Sequence, residues 1–118
     1  MGKSRILVVD DNTKIQYAFR SFLENEGYIS IPVEKGSDVL KILEHENPKV
    51  VFLDIRLPDT DGLEILRQIK QKYPGLPVVI ITGHNNEENK IRAQELGADG
   101  FLEKPVSLTN MRQFLKDI

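Results

Sequence analysis

The stretch Val50-Val51-Phe52-Leu53-Asp54-Ile55-Arg56-Leu57-Pro58-Asp59-Thr60-Asp61-Gly62 decides how the chain reads. Four apolar residues, the first two β-branched, run without a polar break into a carboxylate and then into a loop holding proline and glycine. That is the pattern of a central strand buried on both faces. Asp54 is then the point where a buried strand reaches the surface. In open α/β sheets, ligand sites gather in the crevice at the carboxyl ends of the strands, so an acid placed there points to chemistry. The plainer reading is an acid that only caps the loop.

Outward from this stretch, strand and helix patterns alternate. Ile6-Leu7-Val8-Val9 is a short apolar strand that ends in Asp10-Asp11, so two strands deliver carboxylates. Asn12 or Thr13 caps a helix in which Ile15, Ala18, Phe19, Phe22 and Leu23 recur at helical spacing, with Gly27 as its stop. Tyr28 to Val33 alternates, with Ile29, Ile31 and Val33 on one face. Pro32 lacks a ladder donor and places this strand at a sheet edge. Gly36-Ser37 opens a helix through Val39, Leu40, Ile42 and Leu43, closed by Asn47-Pro48.

Past the Asp54 loop, Asp61 and Glu64 form a capping-box pattern for a helix carrying Leu63, Leu66 and Ile69, which ends at Tyr73-Pro74-Gly75. Val78-Val79-Ile80-Ile81 is a second buried-strand run and finishes at Thr82-Gly83. The spacing predicts a helix over Asn85 to Leu96, anchored mainly by Ile91 and Leu96. An element with so little to bury is weakly held. Gly97 stops it, and Phe101-Leu102 marks a fifth strand. Lys104-Pro105 leads to a last helix with Ser107 as cap and Leu108, Met111, Phe114, Leu115 and Ile118 turned inward.

Five strands alternating with five helices predict the α/β class: a doubly wound, flavodoxin-like parallel sheet covered on both faces. The edge-like second strand and the acids on strands one and three fit the order 2-1-3-4-5, which sets two acidic strand ends side by side at the switch point. The pattern alone does not fix that order. With 118 residues and 40% hydrophobic content, residues 1–118 match one compact domain. The 16 basic and 18 acidic residues nearly cancel to a formal net charge of -2, so this domain carries no electrostatic footprint for nucleic acid or an anionic membrane. The absence of cysteine excludes disulfides and thiolate chemistry and fits a reducing compartment. The four apolar residues before Asp10 are too few for a signal-peptide core or a membrane span, so the chain reads as cytoplasmic. His45 and His84 show no spacing of a metal pair.

Asp10-Asp11, Asp54, Pro58 with Asp61-Gly62, Thr82-Gly83 and Lys104-Pro105 stand in order at the ends of successive strands. On these marks, and over essentially its whole length, the chain resembles the receiver domains of two-component response regulators, the family typified by the bacterial chemotaxis regulator. The resemblance implies that Asp54 accepts a phosphoryl group from the phosphohistidine of a histidine kinase or histidine phosphotransferase, in a reaction requiring magnesium or manganese. It implies Asp11, Asp54 and the backbone carbonyl of Arg56 as direct ligands, with Asp10 acting through water. Lys104, turned inward by a cis bond to Pro105, and the Thr82 hydroxyl would meet the phosphoryl oxygens. Gly83 would leave room for the donor imidazole, and the side chains of Arg56 and His84 would tune how long the phosphoryl group survives. Phe101 would follow Thr82 inward as the switch. The output face would be the helix after Gly83, strand five and the last helix, with Arg92 and Glu95 nearby, and a homodimer through that face is open. The first helix near Ile15 would receive the phosphodonor. Such a domain is no enzyme beyond its own phosphorylation and dephosphorylation.

The residue chemistry supports the same reading independently. Three crowded carboxylates repel, so one binds a proton unless a cation is present, and a hard divalent ion with oxygen ligands suits them. A flavodoxin-like FMN carrier is disfavoured because Asp10-Asp11 stands where its phosphate cradle must be. A haloacid-dehalogenase-type phosphatase needs a second acid two residues after Asp54, where this chain has Arg56. A phosphorylation-independent interaction module is the remaining alternative.

Overall fold

β3, Val50–Asp54, is buried at all five positions and lies in the middle of the sheet. The computed structural model describes residues 2–83 and 87–116. In chain order the elements are β1 (Arg5–Val9), α1 (Thr13–Asn25), β2 (Ile29–Val33), a 3-10 turn (Gly36–Asp38) running into α2 (Val39–His45), β3, α3 (Gly62–Lys72), β4 (Val78–Thr82), α4 (Glu87–Glu95), β5 (Gly100–Glu103) and α5 (Leu108–Lys116). All four strand pairings are parallel, in the order β2-β1-β3-β4-β5. This is the doubly wound topology expected from the alternation of patterns.

The two-residue pleat divides the buried side chains between two cores. Ile6, Val8, Val50, Phe52, Val79, Ile81 and Leu102 face α1 and α5, where they meet Phe19, Phe22, Leu23, Met111 and Leu115. Leu7, Val9, Val51, Leu53, Val78 and Ile80 face α2, α3 and α4. The rings of Phe19 and Phe52 sit 5.3 Å apart at 53°, a tilted packing favoured by the aromatic quadrupole. β2 has β1 as its one neighbour, so Pro32 costs the ladder nothing on its outer side.

Caps and ends follow local chemistry. Asn12, rather than Thr13, caps α1, its side chain accepting from the amides of Lys14 and Ile15. Asp61 caps α3 through Leu63 N, while the Glu64 carboxylate pairs with Arg67 and Gln68 instead of closing the box. Gly27 (φ 92°) and Gly97 (φ 98°) terminate α1 and α4 in the left-handed region that glycine tolerates.

Several expected inward residues face water. Ala18 is exposed on α1. Ile29, at the free end of the edge strand, is exposed too. Ile91 is 55% exposed, and the residue α4 buries is Ala93. Two residues along a helix are about 200° apart, so the row that buries Ala93 turns Ile91 outward. Leu108, at the first turn of α5, is exposed, whereas Met111 and Leu115 one and two turns later are buried. Asn85 and Ile118 lie outside the described residues.

Gly62 lets α3 begin directly against the end of β3. A Cβ built there would lie 2.4 Å from the Asp54 carbonyl oxygen and 2.6 Å from Ile55 Cα, contacts to backbone that cannot swing away. Replacing Gly62 by alanine therefore has to push α3 off the strand. We expect Gly62→Ala to cost about 2–3 kcal/mol, in the range of overpacking, read as a fall in the urea midpoint. An unchanged midpoint would show that α3 docks with slack.

Candidate functional site

Register creates the site. Val8 pairs with Phe52 and Val9 with Leu53, so the next residue on each strand, Asp10 and Asp54, comes alongside the other. Both continue the rows Ile6-Val8 and Val50-Phe52, and both are buried. Asp11 follows on the exposed side, and oxygen atoms of all three carboxylates lie within 4.8 Å of one another.

Each acid is held differently. Asp10 Oδ1 accepts from Asn12 N at 2.9 Å, whereas its buried Oδ2 makes no hydrogen bond and has Lys104 Nζ 3.6 Å away. Asp54 Oδ1 accepts from Arg56 N at 3.0 Å, and Oδ2 accepts from Lys104 Nζ at 2.9 Å. Burial pushes the Asp10 carboxyl up to about 6, aided by the neighbouring Asp54 charge and a hydrogen bond to Asp54 that the protonated acid can donate. The Asn12 amide and Lys104 oppose that rise without cancelling it. For Lys104, desolvation pulls the ammonium down, but the hydrogen bond and charge of Asp54 outweigh it, and its pKa stands above the ordinary value. One cation thus serves two buried acids.

The peptide joining Lys104 to Pro105 is cis. Lys104 N also donates to Thr82 O, fastening the end of β5 to the end of β4. Thr82 is fully buried, and its hydroxyl donates to Gly83 O at 3.1 Å. A Cβ on Gly83 would meet no described atom within 4 Å. Phe101 is half-buried against the α2/α3/α4 core and pairs in register with Ile80, two residues before Thr82. The Arg56 side chain is exposed at the mouth, and its backbone bridges to Asp61. His84 lies outside the described residues. Asp10, Asp11, Asp54, Arg56, Thr82, Gly83, Lys104 and Pro105 therefore share one end of the sheet. A hollow of about 430 Å³ between Leu43, Lys49, Tyr73 and Pro77 contains none of them.

Two contacts escaped sequence reading. Gln16 Nε2 donates to Val8 O at 2.8 Å and to Asp10 O at 2.9 Å, pinning the acid loop to α1. The signal was a polar residue three before Phe19, on the inward row of an amphipathic helix. Asp59 reaches across to the amides of Gly36 and Ser37, a long-range contact with no local signature.

With that geometry in place, likeness to known proteins becomes decisive. The model of the response regulator receiver domain matches residues 6–116. The chain belongs to the response regulator receiver domain family. This receiver is 40% identical over 108 residues to the DNA-binding transcriptional regulator NtrC of Proteus hauseri, covering 92% of this chain and 23% of that protein. The chain thus spans about a quarter of the length of such curated relatives. It superposes on a CheY-like receiver domain protein from Methanospirillum hungatei JF-1 with a TM-score of 0.91 at 32% identity, covering 98% of this chain and 93% of that one. The receiver domain of NtrX from Brucella abortus gives 0.89 at 36% identity, with 95% of each chain covered. No helix among the described residues is long and apolar enough to cross a membrane.

The raised pKa of Asp10 fixes the sign of a pH dependence. A carboxyl that binds its proton more tightly folded than unfolded destabilises the fold once ionised. The metal-free receiver, kept in chelator, should lose stability as pH rises from about 4 through about 6 and then level off. Asp10→Asn should lack most of that slope and exceed the wild type at pH 8 by on the order of 2 kcal/mol, measured by urea denaturation across pH. An equal slope in the variant would assign it to another group.

Proposed function

We propose that residues 1–118 form one phosphoacceptor receiver domain of a two-component or phosphorelay system, acting in the cytoplasm. Asp54 is the acceptor. The observation that carries the reading is the buried Asp10–Asp54 pair, with Asp11 beside it and a lysine already on the acceptor carboxylate. An all-oxygen donor set that includes a buried, unbonded Asp10 oxygen suits a hard divalent ion, magnesium or manganese. Asp11, Asp54 and the Arg56 backbone carbonyl would hold it, with Asp10 acting through water. A bound divalent ion supplies the positive charge that lets a carboxylate meet an anionic phosphodonor.

The chain's own groups do the rest. An Asp54 oxygen attacks phosphorus, the P–N bond to the donor imidazole breaks, and its electrons leave with the imidazole nitrogen, which takes up a proton. Lys104 moves from Asp54 Oδ2 to a phosphoryl oxygen and keeps its charge against the added anion. The Thr82 hydroxyl gives up the Gly83 carbonyl for another phosphoryl oxygen. That no described atom comes within 4 Å of a Cβ built on Gly83 supports its role in admitting the imidazole. Arg56 tunes hydrolysis from the mouth, and His84, which lies outside the described residues, takes the same part on the family resemblance alone.

The Thr82 shift gives Phe101, half-buried two register positions away, a reason to repack and bias α4. The thin anchoring of α4, which buries only Ala93 among its described residues, supports it as the moving element. The α4–β5–α5 face, including Arg92 and Glu95, is the output surface and the place where a homodimer would form. A groove of about 390 Å³ between Ile15, Ala18, Pro105 and Leu108 supports docking of the histidine kinase or phosphotransferase on α1, beside the acids.

Intact mass after incubation with acetyl phosphate tests this reading. The expected result is one phosphoryl increment that needs both magnesium and Asp54 and is absent in Asp54→Ala. Lys104→Met should slow its appearance by at least tenfold while the fold persists. Folded protein that gains no increment from acetyl phosphate or from a cognate kinase would leave the phosphorylation-independent interaction module as the function.

A further inference from the structure

The loop after Asp54 is closed at its base and tied at its tip. At the base, Gly62 N donates to Ile55 O at 2.8 Å and Arg56 bridges to Asp61. At the tip, Asp59 Oδ1 accepts from Gly36 N and Oδ2 from Ser37 N, each at 2.9 Å. These two amides open the 3-10 turn between β2 and α2, so the tie spans 23 residues of sequence. Packing follows the same line, because a Cβ on buried Gly36 would strike Thr60 Cγ2 at 2.3 Å and approach Leu57 Cδ1 at 3.2 Å. Charge-assisted bonds from a carboxylate to backbone amides are the stronger kind, and the Ser37 amide leads in holding the Asp59 carboxyl below its ordinary range.

At that base stands Arg56, whose amide grips Asp54 Oδ1 at 3.0 Å. We propose that Asp59 is a positioning residue for the acceptor: its clamp on Gly36 and Ser37 holds the Arg56–Asp61 loop so that the Arg56 amide keeps the Asp54 carboxylate aimed. Asp59 touches neither donor nor phosphoryl group. It acts through the loop that the Arg56–Asp61 bridge closes and the Gly36 and Ser37 amides tie down, and misplacing an attacking atom by about 1 Å is costly. The inference rests on the phosphoacceptor reading.

Because Asp59 is exposed, removing it spares the core and the test does not depend on a crippled fold. The measurement is the phosphorylation rate with acetyl phosphate at saturating magnesium, across donor concentration, together with the Arg56 amide resonance. Asp59→Ala should lower the maximal rate at least fivefold, leave the half-saturating donor concentration within twofold, and shift the Arg56 amide. Asp59→Asn, which keeps one acceptor oxygen, should fall between alanine and the wild type. A merely structural Asp59 would move the unfolding midpoint alone. A wild-type maximal rate in Asp59→Ala, or an unmoved Arg56 amide, overturns the proposal. If the wild type itself took no phosphoryl group, the functional reading would fail, and the Arg56 resonance would still decide whether the clamp reaches Asp54.

Discussion

Asp10 and Asp54 stand beside each other because the register of β1 on β3 leaves them no alternative, and the repulsion between these buried acids governs the end of the sheet around them. Two unit charges at about this separation repel by on the order of 3 kcal/mol at an effective dielectric near 20. The fold relieves this incompletely. Lys104 reaches both acids, Arg56 and Asn12 each donate one amide, and the Asp10 carboxyl still holds its proton to about pH 6. Such an arrangement has the shape of a socket. It is compatible with a packed core because the apolar rows below it are complete on both faces, so the strain is confined to one edge.

The same register ties the socket to the rest of the molecule. Lys104 continues β5, whose pairing with β4 sets Glu103 opposite Thr82, and its amide bonds to the Thr82 carbonyl. Lys104, Thr82 and Phe101 are thus joined through a single strand pairing. Across the outer face, Lys90 of α4 pairs with Glu103 of the same strand. A pair with one partner half-exposed contributes little, and among the described residues α4 itself buries only Ala93, with the half-buried Leu96 just past its end. An element so lightly held can report a small movement of its neighbours.

Most of this was legible from the sequence because it depends on patterns of period two and on strand ends. The unbroken run to Asp54, the matching run to Asp10 and the proline in β2 sufficed for the parallel sheet and the edge place of β2, and they fitted, without fixing, the order that brings the acids together. Helix faces were read less well. Ile91 and Leu108 were expected inside on hydrophobicity, yet α4 turns the small Ala93 to the core and α5 begins packing only at Met111. A large apolar residue attracts attention, whereas the direction of a helix face is settled by the whole row. The Asp61–Glu64 box failed for a related reason, since Arg67 one turn on competes for the Glu64 carboxylate. The contact of Asp59 was out of reach because its partners are backbone groups brought near only by the finished fold, whereas Gln16 left a signal in its place on the inward row of α1.

Unfolding measured against magnesium concentration tests most directly whether the acid cluster takes a divalent cation. A ligand that binds the folded state alone raises stability with the logarithm of its concentration. At neutral pH the unfolding temperature of the wild type should climb steadily with magnesium, and in Asp54→Ala, heated in the same series, it should hardly move. A wild-type unfolding temperature indifferent to magnesium, or a climb of equal size in Asp54→Ala, would contradict the account.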